Sequence, residues 1–224
     1  MDSLLKVFCD FDGTAARNDV GNLLFRQFAG SACFDIIQRW KNDEISSKEC
    51  LIEECRIATV SRRELAEFAD AQELDPFFLQ FAEKCFSEQV ALEIVSDGLD
   101  FYIQRILRKY GLDLKIPVHA NHLVFMNEFK IKPEFPYFQY SCGKCANCKG
   151  YHVQQGKANG RQIVYIGDGL SDRCGAREAD VVFAKTGRDL LVYCQENDIK
   201  HFPFGDFSDI LVQFQTLWPQ RVEK

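Results

Sequence analysis

No run of apolar residues in this sequence approaches the ~20 that a membrane-spanning helix requires. The N-terminal Met-Asp-Ser-Leu-Leu-Lys lacks a basic flank followed by a long apolar stretch, so no secretory signal is expected and the chain reads as cytoplasmic. A surplus of positive charge is missing too. The 27 Lys and Arg against 33 Asp and Glu leave a net charge of -6, a poor match to the phosphate backbone of nucleic acid. That imbalance is nevertheless too small, and the hydrophobic fraction of 46% too ordinary, for a disordered chain. Internal repeats and low-complexity tracts are absent. What remains is a globular protein of 224 residues, enough for one domain or a core domain carrying a smaller insert.

Cysteine is plentiful, with ten residues. A chain of this length builds a core without disulfide staples, and with no export signal the expected state is free thiol. Cys9, Cys33, Cys50, Cys55, Cys85, Cys174 and Cys194 are scattered, mostly beside apolar residues. Cys142, Cys145 and Cys148 crowd into one short stretch followed by His152. The spacing Cys-x2-Cys-x2-Cys-x3-His is compatible with a Cys3His zinc site, and equally with free thiols or a local disulfide.

Short apolar runs at residues 4–11, 91–95, 162–166 and 181–184 read as buried strands, and helical patterns follow the second and third. Alternation of this kind predicts an α/β fold built on an open, mostly parallel sheet. Residues 15–89 carry helical periodicity instead, and Asp75-Pro76 reads as a cap and first-turn proline opening a helix over 77–87. A structureless loop of this length is uncommon, so residues 15–89 are expected to form a helical cap, with 1–14 and 90–224 forming the core. Alternating, aromatic-rich segments between Asn121 and Tyr140 suggest a hairpin. The phenylalanines Phe77, Phe78, Phe81 and Phe86 are expected to pack between cap helices.

Acidic and small polar residues recur where strands end. Asp10-Phe11-Asp12-Gly13-Thr14 follows the first strand, Ser96-Asp97-Gly98 the second, and Gly167-Asp168-Gly169-Leu170-Ser171-Asp172 the third. Ligands bind at such strand ends in open parallel sheets. Acids converging from two strand ends repel unless a cation lies among them, and a few carboxylates with room for water and phosphate suit Mg²⁺. A hydroxyl from Ser96 and a fixed downstream lysine would complete a phosphoryl-transfer site. Lys149, at a helix start, is better placed to reach the strand ends than Lys157, which reads as a solvated surface residue. His119 and His122, near a strand end, read as structural.

These motifs, in this order, resemble those of the haloacid dehalogenase superfamily of phosphatases, in the subclass with a type-1 helical cap after the first motif. The resemblance implies a three-layer Rossmann-like core. It makes Asp10 the nucleophile that forms an aspartyl-phosphate and Asp12 the acid that protonates the leaving oxygen. Ser96 and Lys149 would hold the phosphoryl group, with Thr14, Asp97 and Gly98 lining the substrate site. Mg²⁺ would be held by Asp10, the backbone carbonyl of Asp12 and Asp168, with Asp172 ordering a metal-bound water or the loop. The substrate expected is a small phosphorylated metabolite. Ser96-Asp97-Gly98-Leu99-Asp100-Phe101 and the cysteine run before Lys149-Gly150 resemble the methionine-salvage group acting on 2-hydroxy-3-keto-5-methylthiopentenyl-1-phosphate, a grouping shared with phosphocholine/phosphoethanolamine phosphatase-like proteins. Phosphoserine phosphatases share core and cap, but where they place a carboxylate-gripping arginine this sequence has Glu53 and Glu54, with Arg56 displaced. A phosphotransferase and a non-catalytic regulatory protein are the other readings of the same motifs.

Overall fold

The computed structural model describes residues 5–157 and 160–218. Strand β1 (Leu5–Cys9) ends at Asp10 and is followed by a block of four helices, α1 (Val20–Phe28), α2 (Ala32–Lys41), α3 (Ser47–Ile57) and α4 (Arg62–Asp70). Helix α5 (Phe78–Ser87) leads to strand β2 (Ala91–Leu99), helix α6 (Asp100–Lys109) and the hairpin of β3 (Val118–Phe125) with β4 (Ile131–Glu134). A loop then reaches α7 (Lys149–Lys157). It is followed by β5 (Gln162–Gly167), α8 (Arg173–Glu178), β6 (Val181–Lys185), α9 (Asp189–Glu196), β7 (His201–Phe204) and α10 (Phe207–Leu217). Among the described residues no helix is long and apolar enough to cross a membrane.

The seven strands form one sheet in the order β4-β3-β2-β1-β5-β6-β7, parallel except for β4. From β1 the chain steps outward to β4, returns across the sheet, and steps outward again from β5 to β7. The reversal lies between β1 and β5, where a crevice opens at the carboxyl ends of the strands. Side chains alternate across β1, so Val7 and Cys9 join one apolar cluster while Phe8 joins another with Val153, Ile163 and Tyr165. Helices thus cover both faces and the architecture is the three-layer α/β one expected. Strand β7 and helices α9 and α10 were not expected from the sequence pattern. Four residues with a proline, His-Phe-Pro-Phe, carry little strand signal, and Pro203 is tolerated because β7 lies at the sheet edge.

The helical block has clear local causes. Ser46 with Glu49 and Ser61 with Glu64 form reciprocal capping boxes at the starts of α3 and α4, each side chain accepting from the other residue's backbone N–H. The block leaves and rejoins the core at a single stitch. Ala16 bridges Leu74, Arg17 N–H donates to the Glu73 carbonyl, and Asp75 N–H donates to the Ala15 carbonyl. The expected boundary at residue 89 therefore lies one helix past the stitch. Helix α5 packs on β2 and α10, with Phe78 and Phe81 against Phe207 at ring-centroid distances of 5.0 and 5.3 Å. The phenylalanine-rich helix is thus part of the sheet layer and does not lie among the cap helices as expected. Asp75 fastens this corner, its Oδ1 accepting from the N–H groups of both Phe77 and Phe207.

Phe207 is fully buried among Phe78, Phe81 and Phe204. Phe207→Ala is expected to lower the unfolding free energy by about 3–5 kcal/mol, as measured by denaturant titration.

Candidate active site

The carboxyl ends of β1, β2 and β5 bring the expected acids together. Asp10 lies just past β1, its N–H held by the Ile166 carbonyl of β5. The β2–β3 register shifts between Val95 and Leu99, an irregularity that re-aims the side chains of Ser96 and Asp97. Asp168 and Asp172 follow β5 in the turn leading to α8.

Lys149, at the first turn of α7, is 1% exposed, and its Nζ donates to Asp10 Oδ1 (2.6 Å), Asp172 Oδ1 (2.5 Å) and Ser171 Oγ (2.9 Å). All three ammonium protons are used. Burial lowers its pKa, but the charges of Asp10 and Asp172 outweigh that and hold it above the ordinary lysine range. Asp172 is equally saturated. Its Oδ1 also accepts from the Tyr165 hydroxyl, and its Oδ2 accepts from the N–H groups of Asp168 and Gly169. With its lone-pair positions filled, Asp172 organises the turn and the lysine and has no oxygen left over.

Oxygen atoms of Asp10, Asp168 and Asp172 lie within 4.8 Å of one another. Burial and the charge of Asp172 push Asp10 well above the ordinary carboxylate range, and the same two causes push Asp168 up to about 7. Lys149, with Arg188 3.8 Å from Asp168, faces three clustered carboxylates, which still leaves a shortfall of positive charge on an oxygen-only donor set. That chemistry fits Mg²⁺, and Asp10 and Asp168 retain the acceptors for it.

Asp12 stands beside this cluster. Its Oδ1 accepts from Gly21 N–H (3.0 Å), and its Oδ2 accepts from the hydroxyls of Tyr102 (2.7 Å) and Ser96 (3.3 Å). Burial and the charge of Asp19 push it up to about 6, against the lowering effect of these bonds. Gly98 N–H donates to Ser96 Oγ, and a Cβ at Gly98 would stand 2.0 Å from Tyr102 Oη and 2.6 Å from Asp12 Oδ2. Only glycine leaves room for this arrangement.

A cavity of about 250 Å³ rises from these groups towards the helical block. Its floor includes Asp10, Asp12, Ser96 and Asp168, and its upper wall is formed by Phe25, Ile37, Trp40 and Leu51 with the acids Asp19 and Glu54. Asp97 and Gly98 line it as expected, although the Asp97 carboxylate is committed to Ser47 and to the N–H of Asn147. Thr14 differs from expectation: its hydroxyl is fully buried without a partner, and the residue does not line the cavity. It belongs to the helical turn Phe11–Ala15, in which every residue except Asp12 is buried. Lys157 pairs with Asp180 at 3.1 Å, and His119 and His122 bind Glu93 and Asp100.

The Cys3His grouping that the spacing allowed is not the one the structure brings together. His152 Nε2 bonds Asn147 Oδ1 at 2.7 Å, and the fourth group beside Cys142, Cys145 and Cys148 is Cys174. Helix α7 turns the imidazole towards Asn147, whose side chain also ties the Ser96 and His119 carbonyls together. The sequence carried no signal for Asn147, Tyr102 or Tyr165, because each acts through tertiary contacts between distant segments.

Glu54 is 7% exposed, and burial together with the charge of Asp19 pushes it up to about 8. A carboxyl raised in the folded state contributes stability that is complete below its unfolded value of ~4.3 and is lost as pH rises through the folded value. Glu54→Gln is therefore expected to leave the unfolding free energy unchanged near pH 4 and to raise it by roughly 2–4 kcal/mol above pH 8, read from denaturant titrations at both pH values.

Residues 5–202 match the model of a family described as "Putative Phosphatase". A 2-hydroxy-3-keto-5-methylthiopentenyl-1-phosphate phosphatase of Bacillus thuringiensis subsp. konkukian is 30% identical over 218 residues, covering 95% of this chain and 97% of the relative. The enzyme of the same name from Bacillus cereus (strain G9842) is 30% identical over 210 residues, covering 92% and 94%. Among solved structures, a phospho-aspartyl intermediate analogue of phosphoserine phosphatase superposes with a TM-score of 0.73 at 17% identity, covering 95% of this chain and 99% of the other. A haloacid dehalogenase family hydrolase of Salmonella enterica serovar Typhi gives a TM-score of 0.73 at 16% identity, covering 94% and 71%. The chain belongs to this phosphatase family and has the haloacid dehalogenase fold.

Proposed function

We propose that this phosphatase hydrolyses the monoester of a small phosphorylated metabolite through an aspartyl-phosphate on Asp10, and that the metabolite is 2-hydroxy-3-keto-5-methylthiopentenyl-1-phosphate. The observation that carries the reading is the cavity itself, with a carboxylate floor at the strand ends and an apolar wall of Phe25, Ile37, Trp40 and Leu51 above it. The floor suits a phosphoryl group and the wall suits a methylthio tail.

Asp10 Oδ1 is held by Lys149, which fixes the carboxylate and leaves Oδ2 to attack phosphorus. Ser96 Oγ, oriented by its bond from Gly98 N–H, turns its hydroxyl proton from Asp12 Oδ2 to a phosphoryl oxygen. Asp12, aimed by Tyr102 and raised towards neutrality, protonates the leaving oxygen and then takes a proton from the water that cleaves the intermediate. Asp10, the Asp12 carbonyl and Asp168 would hold Mg²⁺, which supplies charge neutralisation at the phosphoryl oxygens. Asp172 contributes by holding the turn and Lys149.

A second reading is favoured by Trp40, Asp19 and Glu54 sharing the upper wall. An aromatic face with two acids accommodates an ammonium, so phosphocholine or phosphoethanolamine fits as well. Phosphoserine adds a carboxylate; Lys41 and Arg188 also line the cavity, but Asp19 and Glu54 offset the lysine and Arg188 faces Asp168 at 3.8 Å, which disfavours it.

Release of inorganic phosphate from a panel of esters tests these assignments. The enol phosphate is expected to give the highest kcat/KM, and a higher value for phosphocholine or phosphoethanolamine would decide for the second reading. Asp10→Asn is expected to lose roughly 10³–10⁶-fold in kcat and Asp12→Ala about 10²–10⁴-fold. EDTA should abolish activity and Mg²⁺ restore it. If the wild type hydrolysed no phosphate ester in the presence of Mg²⁺, the proposal would fail.

A further inference from the structure

Outside the carboxylate cavity, four sulfurs converge. Cys142, Cys145 and Cys148 come from the loop before α7, and Cys174 from the first turn of α8; each offers a sulfur within 4.8 Å of the others. The Sγ–Sγ separations are 3.5 Å for Cys142–Cys145, 3.9 Å for Cys142–Cys174 and 4.0 Å for Cys145–Cys174. All four are free thiols. Packing does not account for the grouping, since Cys142 is exposed and Cys145 and Cys174 are only half-buried.

Four thiolates bound to one tetrahedral ion at about 2.3 Å stand about 3.8 Å apart, a value that the three separations bracket. A disulfide would use two of the sulfurs and leave the convergence of the other two without a cause. The Cys-x2-Cys-x2-Cys spacing also occurs in iron–sulfur proteins, but there each thiolate binds a different iron of the cluster. Sulfurs that all touch leave room for a single ion.

We propose that Cys142, Cys145, Cys148 and Cys174 bind one zinc ion in a closed tetrahedral thiolate site. On binding, each S–H bond gives way to a Zn–S bond and its proton passes to solvent. The surroundings suit the resulting negative charge. Cys148 directly precedes the first residue of α7, at the positive end of the helix, and Arg177 Nη2 lies 3.7 Å from Cys174 Sγ.

The ion's place in the chain assigns it a positioning role. Cys148 directly precedes Lys149, and Cys174 follows Asp172 by two residues, so the zinc joins the two segments whose side chains meet at the lysine. Helices α7 and α8 touch at the same level, where a Cβ at Gly150 would stand 2.9 Å from the Cys174 carbonyl. The loop also reaches the helical block, with Ser47 N–H donating to the Lys144 carbonyl and Ala146 N–H to Ser47 Oγ.

Metal analysis of the untagged full chain, expressed with zinc and dialysed exhaustively into Mg²⁺ buffer, tests the proposal independently of any activity. Roughly one zinc per chain is expected, together with its stoichiometric release when a mercurial blocks the thiols. Cys174→Ser and Cys142→Ser should each lose most of it, while His152→Asn should keep it. Refolding wild type with Co²⁺ should give the intense thiolate charge-transfer absorption of a tetrahedral site, weakened in Cys174→Ser. A zinc-free chain with four freely alkylated thiols would overturn the proposal. So would a Cys142–Cys145 disulfide found by peptide mass spectrometry, iron in place of zinc, or a zinc content that follows His152 and ignores Cys174.

Discussion

One buried ammonium holds the candidate site together. Lys149 Nζ is the only point at which α7, the end of β1 and the turn after β5 share a bond among the described residues, through Asp10, Ser171 and Asp172. Each partner would be costly to bury by itself, because an uncompensated internal charge costs several kcal/mol. The lysine and its acids are stable only as a set. That makes the site dependent on the sheet: shifting β1 against β5 by one residue would turn Asp10 away from the lysine and reverse every buried side chain of the strand.

Labour is divided between the two layers of the molecule. The strand ends supply the charged groups proposed to act on a phosphoryl unit, and their geometry follows from strand register and from the hydrogen bonds of Asp12 and Asp172. The helical block supplies the wall of the cavity, where Trp40, Leu51 and Glu54 line the space above the acids. Helix α5 belongs to neither task. Its phenylalanines join α10 to the sheet, which keeps the acids' foundation rigid while the wall is set by separate helices.

The parts legible in the sequence were those governed by short-range patterns. Buried strands with an acid just past the last residue announced β1 and β5, and helical periodicity announced α1 to α4. Asp10, Asp12, Asp168 and Asp172 were readable because they repeat one arrangement, strand then acid then turn. Long-range pairings were not readable. Tyr102 sits on the apolar face of α6 and looks like core until its hydroxyl is seen 2.7 Å from Asp12. Cys174 looked like one more packing cysteine because its partners lie about thirty residues upstream. His152 has the right spacing for a ligand, but the turn of α7 sends it to Asn147. Strand β7 is too short, and too interrupted by Pro203, to show a period.

The stitch at Ala16 and Leu74 has a geometric consequence. Because the block between them departs and returns at neighbouring points, it hangs from the sheet on a neck two strands wide, braced by Arg17 and Asp75. The neck is not the block's sole tie. On the far side Arg105 grips the Asp70 carboxylate with two bonds of 2.7 Å, Val60 N–H donates to the Phe129 carbonyl, and Ser47 is bound to the loop before α7. The cavity wall is therefore pinned at both ends, and the space above the acids is framed by α6, the hairpin and the cysteine loop as much as by the helices that line it.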